Sequence, residues 1–114
     1  MDIQPVNPGH VLVIPRVHAA YLSELDKEIG AHLFRVAMQV GEALRRSGVR
    51  CEGVNLFLAD GEAAGQELFH VHLHVSPRFA DDGFGLRHGP NNFLMASRSS
   101  LEAIAQQIKG AMPE

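Results

Sequence analysis

The stretch His70-Val71-His72-Leu73-His74-Val75 constrains this chain more than any other feature. Strict alternation of polar and apolar residues fits a β-strand, in which successive side chains point to opposite faces. His70, His72 and His74 then share one face, while Val71, Leu73 and Val75 share the other and can enter a core. Neighbouring imidazoles on such a face lie about 7 Å apart, so one small anion can touch two of them. A sheet built this way has a core side and a working side. A single histidine there would be a solvated or hydrogen-bonded surface group; three in alternation, preceded by a Gly-Gln loop, point to function.

The rest of the chain supplies the elements to cover the aliphatic face. His10–Ile14 is a short β-branched run between Pro8-Gly9 and Pro15, which reads as a strand buried on both faces. A helix is expected over Lys27–Ser47, after a looser turn at 19–24. Asp26 is its N-cap, and Ile29, Leu33, Ala37, Val40 and Leu44 recur at helical spacing. Arg45 and Arg46 suit its carbonyl end, and Gly48 stops it. Phe34, Val36 and Met38 widen its apolar surface into a second face, fit for a partner subunit or a covering loop.

Gly53–Leu58 is read as the second strand, 60–66 as a glycine-punctuated loop and Leu68–Ser76 as the third strand, ended by Pro77. Residues 80–92 form an exposed loop. Ser99 to Glu102 has capping-box spacing, and Leu101, Ile104, Ala105 and Ile108 follow on one helical face. The order is strand, helix, two strands, helix: an α+β fold with a mostly antiparallel sheet, one long helix and one short one.

With 114 residues, 46% of them hydrophobic, the chain is expected to form one domain over 1–114 and to gain from pairing with a second copy. The net charge of −3 offers no general attraction for nucleic acid or an anionic membrane, so a phosphate must be held by local donors. A single cysteine, Cys51, rules out an internal disulfide and suits a reducing compartment. No apolar run reaches membrane-spanning length, and no secretory leader is evident; a cytoplasmic protein is expected.

Two chemistries suit the histidine face. Imidazoles at i, i+2 spacing can converge on zinc. Alternatively, one neutral imidazole can attack phosphorus while the others orient it, since a histidine with pKa near 6.5 keeps a lone pair at neutral pH. The loop Ala64-Gly65-Gln66-Glu67 favours the second, because its backbone N–H groups and carboxamide suit phosphate oxygens.

The run from Asp60 through Ala64-Gly65-Gln66, the histidine ladder and Ser76-Pro77-Arg78-Phe79 resembles the signature of the histidine triad (HIT) family. The upstream Asp2-Ile3-Gln4-Pro5-Val6-Asn7-Pro8-Gly9-His10-Val11-Leu12-Val13-Ile14-Pro15 is similar to the family too, as are His18 and Gly83-Phe84-Gly85-Leu86. The resemblance implies a homodimeric hydrolase or transferase of purine nucleotides that needs no cofactor or metal. In it His72 is the nucleophile, His74 contacts the phosphate, and His70 sets the hydrogen bonding behind the nucleophile. It further implies that His10 is a buried support touching the first ladder histidine. Gln66, Gly65 and Glu67 lie on the phosphate side, and Asp2 and Ile3 hold ribose and base. A nucleotide-binding sensor without turnover is the alternative.

The chain departs from the family pattern in places. Ala59 stands where many members have an amide side chain, and Glu67 where others have a hydroxyl, so its backbone N–H is the expected contact. The family's N-terminal strand and helix segment is expected to be absent, leaving a sheet edge for a partner chain to cover. Arg78 is read either as a phosphate-side cation or as a solvated residue. Arg87 and His88 lie in a loop able to close over substrate, His32 on the surface, and His18 in a structural position at the start of the helix.

Overall fold

The structure is a computed structural model and describes residues 1–113. It forms two compact units, divided after Phe84. The first unit holds β1 (Val11–Val13), α1 (Lys27–Arg46), β2 (Gly53–Phe57) and β3 (Leu73–Arg78), with 3-10 turns at Leu22–Glu24 and Glu62–Ala64. The second holds α2 (Arg98–Ala111).

The sheet of the first unit is antiparallel throughout, in the order β1-β3-β2. The α+β reading therefore holds: an open antiparallel sheet with one long and one short helix. Helix α1 starts where a cap predicts, for the Asp26 carboxylate accepts the Glu28 N–H at 2.8 Å. It ends at Arg46, with Gly48 just beyond at φ +84°. Leu33, Ala37, Gly41 and Leu44 recur on its buried face and pack toward β3 and β1. With Val13, Ala19, Leu25, Val71, Leu73 and Val75, the side chains of Leu33, Ala37 and Leu44 make the core. Gly9 is required twice over. Its φ is +100°, and a Cβ there would sit 2.9 Å from Val49 Cγ1 and 3.2 Å from Leu44 Cδ2.

Three boundaries differ from the sequence reading by more than one residue. Strand β3 begins at Leu73 rather than Leu68, because the preceding residues bond to 15–20 instead of to a neighbouring strand. It also runs through Pro77. β1 pairs only with Leu73–Val75, so one side of Pro77 lacks a strand neighbour and its missing N–H is tolerated. In the second unit the cap of α2 is Ser97, whose Oγ accepts the Ser100 N–H at 3.2 Å, not Ser99. Glu102 instead pairs with Arg98 at 3.5 Å. Among the described residues no helix is long and apolar enough to cross a membrane.

Candidate active site

Although the strand starts late, the alternation survives through the residues before it. Val71, Leu73 and Val75 are buried, while His70, His72 and His74 are half-buried. What sets this stretch is its hydrogen bonding. The Val71 N–H donates to the Ala19 carbonyl at 2.7 Å, and the His70 ring donates from Nε2 to the Pro15 carbonyl at 3.1 Å. Both bonds draw the ladder against the segment that follows β1.

His72 Nδ1 lies 2.8 Å from the backbone carbonyl of His70. A carbonyl only accepts, so this nitrogen carries the proton and Nε2 keeps the lone pair. The group behind His72 is thus the His70 backbone, not its imidazole. The His70 ring turns away toward His18, with the two Nδ1 atoms 3.4 Å apart. The His72 and His74 rings have centroids 5.0 Å apart, closer than regular strand spacing.

His10 corrects another expectation. It is buried, as the resemblance implies, but its Nε2 lies 2.9 Å from His74 Nδ1, so it supports the last ladder histidine and not the first. A contact spanning sixty-four positions arises because Leu12 and His74 are register partners, which brings the start of β1 beside β3. Burial pushes His10 below the ordinary histidine value, against the raising effect of the Asp2 carboxylate. His74 is lowered by burial first and by its histidine neighbours second.

Asp2 folds back over this pair. Its N–H donates to the His10 carbonyl at 2.9 Å, and its Oδ2 lies 3.7 Å from His10 Nε2. Asp2, His10 and His74 each offer a metal-ligand atom within 4.8 Å of the others, but His10 and His74 already spend theirs on each other. Ile3 is 96% exposed. The Phe57 ring stands 5.8 Å from His74.

Gln66 is not the free phosphate donor that the sequence suggests. It is buried, its Oε1 accepts the Gly61 N–H at 2.8 Å, and its Nε2 donates to the carbonyls of Ala20 (2.7 Å) and Leu68 (3.1 Å). Both amide hydrogens are consumed, one tying the loop to residue 20 and one on the carbonyl of Leu68. Gly65 takes the left-handed conformation at φ 92° and closes the turn through its N–H to the Glu62 carbonyl, while Glu67 is exposed beside it.

Arg78 is neither solvated nor free. It forks onto Asp82, with Nε to Oδ2 at 2.6 Å and a terminal nitrogen to Oδ1 at 2.8 Å, and also bonds Asn55 and the Phe84 carbonyl. Asn7 joins this network through Asp82 and the Pro77 carbonyl. The anchoring by Asn7, the Pro15 and Ala19 carbonyls and the Val6 N–H, which donates to His10 Nδ1 at 3.1 Å, escaped the sequence reading. Backbone groups leave no residue-type signal, and Asn7 looks like an ordinary turn residue. His18 belongs beside His70, not at the helix start. Arg87 and His88 lie in the second unit, where the His88 ring stacks edge-on against Phe93.

Residues 1–81 match the HIT domain, a span ending just short of the boundary of the first unit. The chain belongs to the HIT family. A HIT-like protein of Borreliella burgdorferi is 41% identical over 109 residues, covering 95% of this chain and 77% of that protein. The crystal structure of a HIT family protein from Bacillus anthracis superposes with a TM-score of 0.84 at 36% identity, over 99% of this chain and 79% of the other. A zinc-bound histidine triad family protein from Mycobacterium smegmatis gives 0.72 at 35% identity, over 98% and 79%. The HIT fold of this chain is thus shared across several bacterial relatives, and it is a hydrolase-type fold that supports an enzyme-like role.

Proposed function

We propose that this HIT protein cleaves a phosphoramidate or phosphoanhydride bond of a purine nucleotide through a nucleotidyl intermediate on His72. The observation that carries the reading is the 2.8 Å bond from His72 Nδ1 to the His70 carbonyl, which leaves the Nε2 lone pair for attack. His72 Nε2 bonds to the phosphorus of the nucleoside monophosphate as the bond to the leaving nitrogen or oxygen breaks with its electron pair; the leaving group takes a proton from solvent, and the water that attacks in the second step gives one back. Water then attacks the same phosphorus, releasing the monophosphate and restoring the imidazole. His74 contacts the phosphate oxygens, with the backbone of Gly65 and Glu67 beside it, while Asp2 and Ile3 hold the nucleoside. Gln66 serves by holding the loop, and His70 through its carbonyl. Positioning and charge stabilisation contribute more than proton transfer, as in phosphoryl transfer generally.

A homodimer belongs to the same reading. β1 and β2 are both outer strands of the sheet, and α1 exposes Phe34 and Met38. A binding protein without turnover is the second reading. It is favoured by the spent carboxamide of Gln66 and by Ala59, a buried residue with no polar side-chain atom, which leave fewer donors for phosphate.

The deciding experiment is intact-protein mass after brief mixing with adenosine 5′-phosphoramidate, for wild type and His72→Ala. A transient adduct of one AMP on wild type alone, with AMP released, is the expected result. An adduct that persists in His72→Ala would remove His72 as nucleophile. AMP binding with neither adduct nor turnover would select the second reading.

A further inference from the structure

Two hydrogen bonds in series run from the backbone into the histidine cluster. The Val6 N–H donates to His10 Nδ1 at 3.1 Å, and His10 Nε2 lies 2.9 Å from His74 Nδ1. A backbone amide can only donate, so the ring nitrogen facing it holds a lone pair. A neutral imidazole has one N–H, which for His10 must then be on Nε2. That N–H points at His74 Nδ1, which must accept, and the proton of His74 is thereby placed on Nε2.

We propose that His10 is a positioning residue that relays the polarity of the Val6 amide to His74 and fixes His74 as its Nε2–H tautomer. His72 and His74 are then held in complementary states. The His70 carbonyl takes the Nδ1–H of His72 and bares its Nε2, whereas His10 takes the Nδ1 lone pair of His74 and leaves an N–H to offer. A nucleophile and a donor stand side by side, with ring centroids 5.0 Å apart. Without the relay His74 is free to present a lone pair to an anionic phosphate, where repulsion replaces a hydrogen bond.

The surroundings protect the relay. The Asp2 carboxylate is the nearest competing acceptor for the His10 Nε2–H, but it stands at 3.7 Å and its other oxygen is held by the Gln4 N–H at 2.9 Å. Burial holds both rings below the ordinary histidine value, which keeps them neutral, the only state in which a tautomer can be set. The same bonding opposes metal capture by Asp2, His10 and His74, because a protonated Nε2 has no lone pair for an ion.

The consequence for turnover rests on His72 as nucleophile; the tautomer itself does not. Long-range 1H–15N correlation on the ligand-free protein at about pH 8, where a histidine with the ordinary pKa is neutral, reads each ring directly. The expected pattern is Nε2–H for His10 and His74 and Nδ1–H for His72. His10→Leu removes the donor, so His74 becomes a tautomer mixture. With adenosine 5′-phosphoramidate, its kcat is expected to fall about 10–100-fold, the range lost at metal sites when the partner that orients a ligating histidine is removed, with KM little changed. His10→Gln keeps an acceptor for Val6 and an N–H for His74, and is expected to restore both the tautomer and most of kcat.

An Nδ1–H His74 in wild type overturns the proposal, as does His10→Leu with tautomer and kcat intact. So does a folded His10→Gln that rescues neither. If wild type gives the expected pattern and turns over no phosphoramidate, the relay stands and the hydrolase reading falls.

Discussion

Gln66 makes three hydrogen bonds from one buried side chain, and through them holds the loop at 61–66 and the residues leading to the histidines against residue 20. Replacement by alanine strands the Gly61 N–H and the Ala20 carbonyl. Each buried polar group left without a partner costs about 1–3 kcal/mol. Gln66→Ala is therefore expected to lower the urea midpoint by the equivalent of at least one such loss, with no change in the slope. A glutamate would keep the acceptor for Gly61 but turn a donor into an acceptor facing two carbonyls, so Gln66→Glu should be worse than alanine in the same titration. Had Gln66 reached outward to phosphate, both variants would leave stability nearly unchanged.

At the scale of elements, α1 and β3 carry the fold, and the cost of disturbing each is set by burial. Leu33→Ala removes a core residue of α1 and is expected to cost about 2–5 kcal/mol in chemical denaturation, while Asp26→Ala, which removes only the cap, should cost about 1 kcal/mol. These two features were legible because both are written in side chains: apolar spacing for the helix face, a carboxylate before it for the cap. The alternation at 70–75 was legible for the same reason. The start of β3 was not, since Leu68–His72 contains the right residue types for a strand and is kept out of one by carbonyls at Pro15 and Ala19. The partner of His10 was hidden by sequence distance, and the direction of Gln66 by chemistry, because a carboxamide serves a phosphate or a backbone equally well. Ser97, Ser99 and Ser100 each offer a capping hydroxyl, so residue type alone did not choose among them.

For the first unit as a whole, acid sensitivity follows from the histidine pair and from Asp82. His10 and His74 have folded pKa values below the ordinary 6.5, so the unfolded chain takes up protons more readily. Their contribution is fully present above pH 6.5 and is lost as pH falls through the lower folded values. The Arg78 guanidinium, aided by Asn7 and two backbone N–H groups, holds the Asp82 carboxylate far below the usual carboxylate range. Its contribution is present above the ordinary value of 3.8 and begins to fade only below it. The melting temperature is therefore expected to stay level from pH 9 to about pH 7, decline in a first stage below 6.5, and fall again in a second stage under pH 4. A flat profile from pH 8 to 5 would mean that His10 and His74 are not shielded in the folded protein. The bonds that place the histidine stretch end on the main-chain carbonyls of Pro15, Ala19 and Ala20, which every amino acid possesses. The bonds themselves therefore tolerate any side chain that fits at those positions: Ala20, partly exposed, is free to drift with the same imidazole arrangement, while the burial of Pro15 and Ala19 limits them to residues of similar size. Change at His10 or Gln66 has no such freedom, and divergence across related lineages should be uneven in that way.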